Sequence, residues 1–173
     1  MSSTSLRRAT PADAAGVAGV HVRAWQIAYR GLVPNEVLDG LSVAERESTW
    51  QTLLERSTGA AFTVIAEHDD DIVGFCSVIA PSRDDDASSG TCEVAAIYVE
   101  PGLWRKGVGT ALLDDALQQL RAAAWDHVTL WVFAENAAAL AFYRRFGFAP
   151  DGAETWHERS GQREVRLRAP LKR

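Results

Sequence analysis

Residues 99–110, Val99-Glu100-Pro101-Gly102-Leu103-Trp104-Arg105-Lys106-Gly107-Val108-Gly109-Thr110, carry a strand through a glycine turn into a helix. This junction limits the possible folds more than any other segment. Behind it, Thr91 to Val99 is a β-rich run; ahead of it, Gly107 to about Ala123 places Leu112, Leu113, Ala116, Leu117 and Leu120 on one helical face. Val128 to Phe133 follows as an almost wholly apolar strand, the pattern of one buried on both faces. A helix that opens from a glycine turn aims unbonded amides and the positive end of its dipole at whatever lies in front, which makes an anion site. Arg105 and Lys106 add charge there. The plainer alternative is that the two glycines only permit a tight turn.

The rest of the chain supplies partners for this unit. Leu6 to Ala9 reads as a short first strand, and Thr10-Pro11-Ala12-Asp13 has the form of a helix start. The helix runs to Trp25 or beyond, with Ala14, Val17, Ala18, Ala24 and Ala28 recurring at three and four and His21 on the same stripe. Ser42-Val43-Ala44-Glu45 is a capping box opening a second helix whose Trp50, Leu53 and Leu54 are expected in the core. Ala61 to Glu67 and Ile72 to Ile79 form a hairpin around His68 and three aspartates. Asn136 caps a helix that Gly147 closes, and Phe148 onward with Arg163 to Arg168 gives a last strand pair. The order β, α, α, β, β, β, α, β, α, β, β predicts an α/β (α+β) fold with a mixed sheet. Asp69-Asp70-Asp71 and Asp84-Asp85-Asp86 read as solvated turns.

Composition narrows the function classes. At 173 residues with 47% hydrophobic and 24% charged residues, the chain is expected to form one domain, residues 1–173, able to bury a core without staples. It has no window suited to a membrane span and no apolar leader, so a cytoplasmic location is expected. Cys76 and Cys92 fit neither a disulfide framework nor zinc spacing, and no metal is expected. The net charge of −5 argues against nucleic acid as a partner and mildly favours a cationic substrate.

Exclusion then acts on the glycine turn. Gly107-Val108-Gly109-Thr110-Ala111-Leu112 fails the dinucleotide fingerprint at Leu112, and the chain has no P-loop, GxSxG elbow or HExxH helix. Trp104-Arg105-Lys106-Gly107-Val108-Gly109 instead resembles the pyrophosphate loop of the GNAT N-acetyltransferase superfamily, (Gln/Arg)-x-x-Gly-x-(Gly/Ala). It departs from that pattern at Trp104, where Gln or Arg is usual. Phe133-Ala134-Glu135-Asn136 followed by Ala141-Phe142-Tyr143-Arg144-Arg145-Phe146-Gly147-Phe148 is similar to the family's Asn…FYxxxGF segment. The order of elements matches over nearly the whole chain.

The resemblance implies a mostly antiparallel sheet in which two parallel strands splay apart and admit the pantetheine of acetyl-CoA. It implies pyrophosphate on Arg105, Lys106, Gly107, Val108, Gly109 and Thr110, pantetheine along Ile97, Tyr98 and Val99, and the thioester end near Asn136 and Tyr143. The expected reaction moves an acetyl group directly to a primary amine, preferably of a small molecule. A non-catalytic acyl-CoA sensor and a protein or peptide N-acetyltransferase are the alternatives. By the same resemblance, a homodimer is expected.

Acetyl transfer needs a proton acceptor for the attacking amine and a donor for the departing thiolate. Tyr143 is the candidate acid by its place in the motif; the competing role is a core tyrosine. Glu93 is the candidate base, eleven residues before Trp104, the spacing of the glutamate in histone-acetyltransferase-like members. An exposed strand face or a structural pair with a neighbouring Arg is its alternative, and a water chain could replace it. Trp25 and Tyr29, with Gln26, are candidates to line the acceptor pocket, although large aromatics at helical spacing more often belong to a core. Trp131, Trp156, His21 and His157 are secondary candidates.

Overall fold

A computed structural model describes residues 4–172; residues 1–3 and 173 of the expected span lie outside the described residues. The elements are β1 (Ser5–Arg8), α1 (Ala14–Ala28), α2 (Asn35–Asp39), α3 (Val43–Glu55), β2 (Phe62–His68), β3 (Asp71–Ile79), β4 (Thr91–Val99), α4 (Val108–Ala122), β5 (His127–Phe133), α5 (Ala137–Arg144), β6 (Ala149–Trp156) and β7 (Arg163–Pro170). Their strands form one seven-stranded sheet in the order β1-β2-β3-β4-β5-β7-β6. Every neighbouring pair is antiparallel except β4 and β5. This is the mixed α/β architecture expected from the sequence.

The two sheet faces carry different helices. The α4 stripe of Leu112, Leu113, Ala116, Leu117 and Leu120 is fully buried against Val64, Cys76, Val94, Val128, Leu130 and Leu167. The contact is close: a Cβ on Gly74 would come within 2.9 Å of Leu112 Cδ1. On the opposite face α1 and α3 bring Val17, Ala18, Val20, Trp50 and Leu54 onto Ile65 and Phe75. Fully burying side chains of this size contributes roughly 1.5–3 kcal/mol each before entropy is counted. A third, smaller cluster, Trp25, Val33, Leu38 and Phe133, closes the far end of α1 over β5.

The expected helix start at Thr10 is present, as a 3₁₀ turn over Pro11–Asp13 that runs into α1 at Ala14, with the Asp13 carboxylate accepting from the Thr10 amide at 2.7 Å. Two other expectations are corrected by the packing. Leu53 is 47% exposed, because Trp50 and Leu54 already complete the face that α3 turns inward. The Asp84-Asp85-Asp86 stretch is also no mere solvated turn. Arg166 of β7 binds both Asp86 oxygens at 2.6 and 2.8 Å, Asp84 at 3.3 Å and Asp151 at 2.7 Å. Trp131 Nε1 donates to Asp84 at 2.9 Å, so residues 80–90 are strapped across β5 and β7.

The β4–β5 ladder positions the site. Only Thr91↔His127, Cys92↔Val128 and Glu93↔Thr129 pair in parallel. Beyond Glu93 the strands separate, while β4 stays bonded to β3 as far as Val99 and β5 stays bonded to β7 as far as Phe133. Each therefore presents an unpaired backbone edge to the gap, inside the sheet rather than at its rim.

Candidate active site

The glycine turn stands beyond the end of β4. Gly107 has φ +89° and acts as N-cap of α4; a Cβ there would meet nothing within 4 Å. Arg105 also adopts a left-handed φ of 61°. Among the described residues no backbone acceptor takes the amides of residues 107–110, while Gly107 O accepts from Ala111 N at 2.9 Å. Four unbonded donors at the positive end of a fifteen-residue helix, with open space before them, suit phosphate oxygens. Arg105 and Lys106 are exposed and make no ion pair among the described residues. Trp104 does not reach toward this space: its Nε1 donates to Val99 O at 2.7 Å and ties the turn back to β4.

The gap between β4 and β5 opens into a cleft of about 730 Å³. Val94 to Tyr98 and Leu130 to Phe133 form its strand walls, α1 contributes His21 and Trp25 with Tyr29 just after its end, and α5 contributes Ala139 and Tyr143. The structure thus brings Glu93, Ile97, Tyr98, Asn136, Tyr143, Trp25 and Tyr29 to one cavity. It does not bring Val99 or residues 105–110 into the same cavity; they lie around the turn. Asn136 uses Oδ1 to cap α5 on the Ala139 amide at 3.1 Å, which leaves its amide nitrogen for the cleft.

The cleft holds its hydroxyls neutral. Tyr29 and Tyr98 meet at 3.3 Å between oxygens, and burial pushes both, like Tyr143, above the ordinary phenol value. Tyr143 packs edge-on against Phe142 and Phe148 with ring centroids 5.3 and 5.9 Å away. His21 is stacked on Tyr98 at 5.1 Å and accepts from Trp50 Nε1 at 3.1 Å. Burial, helped by Arg46, lowers it to about 3, so it is a neutral ring with its proton on Nε2. His157 bonds Ser160 Oγ at 2.9 Å and packs on Trp25 and Phe133; burial and nearby arginines lower it too.

The two carboxylates at the cleft have different surroundings. Glu93 is buried where the strands still pair, and Arg83 holds it by Nη2 at 2.6 Å, Nε at 3.2 Å and the backbone amide at 3.3 Å. Glu164 lies opposite Phe133 on β7; its carboxylate has no hydrogen bond or ion pair among the described residues, and desolvation raises it above the ordinary carboxylate value. Its charge is felt at Tyr29 and Tyr98. Sequence reasoning missed Glu164 because Arg163-Glu164-Val165-Arg166-Leu167 alternates like any strand with one wet face. It also missed Arg46, on α3, and Arg159, beside His157, which line the mouth of the cleft. Trp131 is in the cavity wall as well, and Trp156 lines it while staying 67% exposed. Among the described residues no group of His, Cys, Asp and Glu side chains is arranged to hold a metal ion, and no helix is long and apolar enough to cross a membrane.

Comparison with known proteins bears on this geometry. The family model of the acetyltransferase (GNAT) family matches residues 25–148. An uncharacterized N-acetyltransferase of Bacillus subtilis is 28% identical over 142 residues, 82% of this chain and 78% of that protein. A Mycobacterium tuberculosis protein named "probable N-acetyltransferase" is 28% identical over 163 residues, 92% of this chain and 88% of its own. Among solved structures, the PaiA N-acetyltransferase of Thermoplasma acidophilum, in complex with coenzyme A, superposes with a TM-score of 0.80 at 17% identity, covering 97% of this chain and 99% of that one.

Proposed function

The chain belongs to the GNAT acetyltransferase family and is an acetyl-CoA-dependent N-acetyltransferase, and from that premise we propose that it acetylates the primary amine of a small molecule by direct transfer in a ternary complex. The observation that carries this reading is the parting of β4 from β5 after Glu93↔Thr129, which leaves a cleft with hydrogen-bonding edges on both sides.

In this reading the amides of residues 107–110, with Arg105 and Lys106, hold the pyrophosphate, and the open edge of β4 at Ile97, Tyr98 and Val99 holds pantetheine. Bound acetyl-CoA supplies an activated acetyl carbonyl: the amine nitrogen bonds to its carbon, the carbon–sulfur bond breaks, and the sulfur leaves with the electron pair. Tyr143 gives its hydroxyl proton to that sulfur. The tyrosine suits the task because burial keeps it protonated until charge develops beside it. Asn136 orients the same end through its free amide nitrogen. Glu164 takes the proton from the amine. Its raised affinity for a proton and its lack of an ion partner support this role, whereas Arg83 already neutralises Glu93. Trp25, Tyr29 and Tyr98 give the amine an aromatic wall suited to an ammonium before deprotonation.

The test is calorimetric titration with acetyl-CoA, then a panel of primary amines with free CoA monitored. Micromolar binding with amine-dependent CoA release is expected. Binding without release from any amine would make the chain a sensor, and absence of binding would remove the turn from the donor site.

A further inference from the structure

The cleft continues into a second cavity of about 280 Å³ between α2, the start of α3 and the turn after β6. Four residues line both spaces: Val37, Leu41, Arg46 and Arg159. The two cations therefore stand at the junction. Arg46 is half-buried on α3 and Arg159 comes from the opposite side, on the β6–β7 turn. Among the described residues neither guanidinium makes a hydrogen bond or an ion pair, although the exposed Glu36 and Glu45 line the smaller cavity and Glu158 the larger. Six other arginines, Arg7, Arg23, Arg30, Arg83, Arg163 and Arg166, are each within salt-bridge distance of a carboxylate, and the remaining seven described arginines are not. What sets Arg46 and Arg159 apart from those seven is that they line both cavities. Burial, and after it the neighbouring Arg159, disfavour the charge on Arg46, an effect that Tyr98 and Glu45 offset only in part.

An anion at that junction removes the cost. Guanidinium groups on opposite walls match the oxygens of a carboxylate or phosphonate through paired N–H donors. Glu164 lies on the same cleft, on the β5 side, where an ammonium is complementary. We propose that the acceptor is a primary amine that also carries a carboxylate or phosphonate, with Arg46 and Arg159 holding its acid group and Glu164 receiving its amine. This rests on the N-acetyltransferase reading above, and it opposes the cationic acceptor that the net charge of −5 favours: two unpaired guanidinium groups line the junction although the chain as a whole is negative.

The experiment uses matched pairs, amino carboxylates and aminophosphonates each set against the same amine lacking the acid group. Binding to the CoA-saturated chain is measured by calorimetry, and acetyl transfer from acetyl-CoA by CoA release. The acid-bearing member should bind and turn over roughly 10–100-fold better, the range of charge-assisted hydrogen bonds. Arg46→Gln and Arg159→Gln should each reduce that preference about tenfold, Arg46→Lys should restore part of it, and affinity for CoA should be unchanged, which verifies the fold of each variant. Equal or better use of the amines without an acid group, preference intact in both glutamine variants, or no acid-bearing member bound at all would overturn the proposal. Failure of the acetyltransferase reading looks different: wild-type chain that does not bind acetyl-CoA.

Discussion

Arg83 encloses the Glu93 carboxylate with three donors, two from its guanidinium at 2.6 and 3.2 Å and one from its own backbone amide at 3.3 Å. The carboxylate is buried and the guanidinium largely exposed, so the pair pins residues 80–90 to the last paired rung of β4 and β5. Structural and catalytic roles for Glu93 separate cleanly in two variants. Arg83→Met leaves a buried carboxylate with one donor and should cost about 3 kcal/mol in chemical denaturation. Glu93→Gln should keep acetyl transfer within about tenfold of wild type, while Glu164→Gln lowers kcat by roughly 10²–10⁴. The opposite ranking would return the base role to Glu93.

Gly107 combines a left-handed backbone with open space in front of it. Gly107→Asp puts a carboxylate where phosphate is to sit and should abolish acetyl-CoA binding. Gly107→Ala should destabilise the fold by about 1 kcal/mol through its φ alone and weaken binding less. Undiminished affinity in the aspartate variant would show that the phosphate lies elsewhere.

Tyr143→Phe removes the hydroxyl but keeps the ring contacts with Phe142 and Phe148. Steady-state kinetics should show kcat falling roughly 10²-fold or more with little change in the KM for acetyl-CoA. A variant as active as wild type would make Tyr143 a packing residue.

The rate should rise with pH as Glu164 loses its proton, because only the carboxylate can accept one from the amine. Since desolvation raises Glu164, this acid limb should lie above the pH at which an ordinary glutamate titrates. The pH profile of kcat/KM should lose that limb in Glu164→Gln. A limb that persists belongs to another group.

Stability should fall with acid for a separate reason. His21 is held neutral, its folded value of about 3 lying below the ordinary 6.5, so its contribution is complete above pH 6.5 and is lost as pH falls toward 3. The slope approaches about 1.4 kcal/mol per pH unit while only the unfolded chain binds the proton. His21→Gln retains an acceptor for Trp50 Nε1 and should flatten this slope in denaturation curves taken between pH 4 and 7.

What the sequence made readable was periodic or local. Leu112 through Leu120 recur with the helical period, and Asn136 and Ser42 cap the helices that follow them, so these elements stand where their residues indicate. The strap from Asp84 and Asp86 to Arg166 crosses about eighty positions, and no local pattern marks an aspartate that will meet such a partner. Leu53 fits the apolar repeat of α3 yet stays 47% exposed. Glu164, Arg46 and Arg159 were illegible for a similar reason: a polar residue facing a wet cavity has the same spacing as one facing bulk solvent.

Chain order and sheet order differ at this edge, because β7, which follows β6 in the chain, lies between β5 and β6. During synthesis β5, α5 and β6 leave the ribosome before the strand that joins them exists. Most of what buries α4, including Val64, Cys76, Val94, Val128 and Leu130, has emerged by then, and Leu167 of β7 completes that core afterwards. Glu164, and the Arg166 that straps residues 80–90, come with the same strand. On the function proposed above, a nascent chain, or one clipped before β7, holds the residues assigned to the nucleotide end without the carboxylate assigned to the amine's proton, so the two halves of the reaction are separated in the order of synthesis.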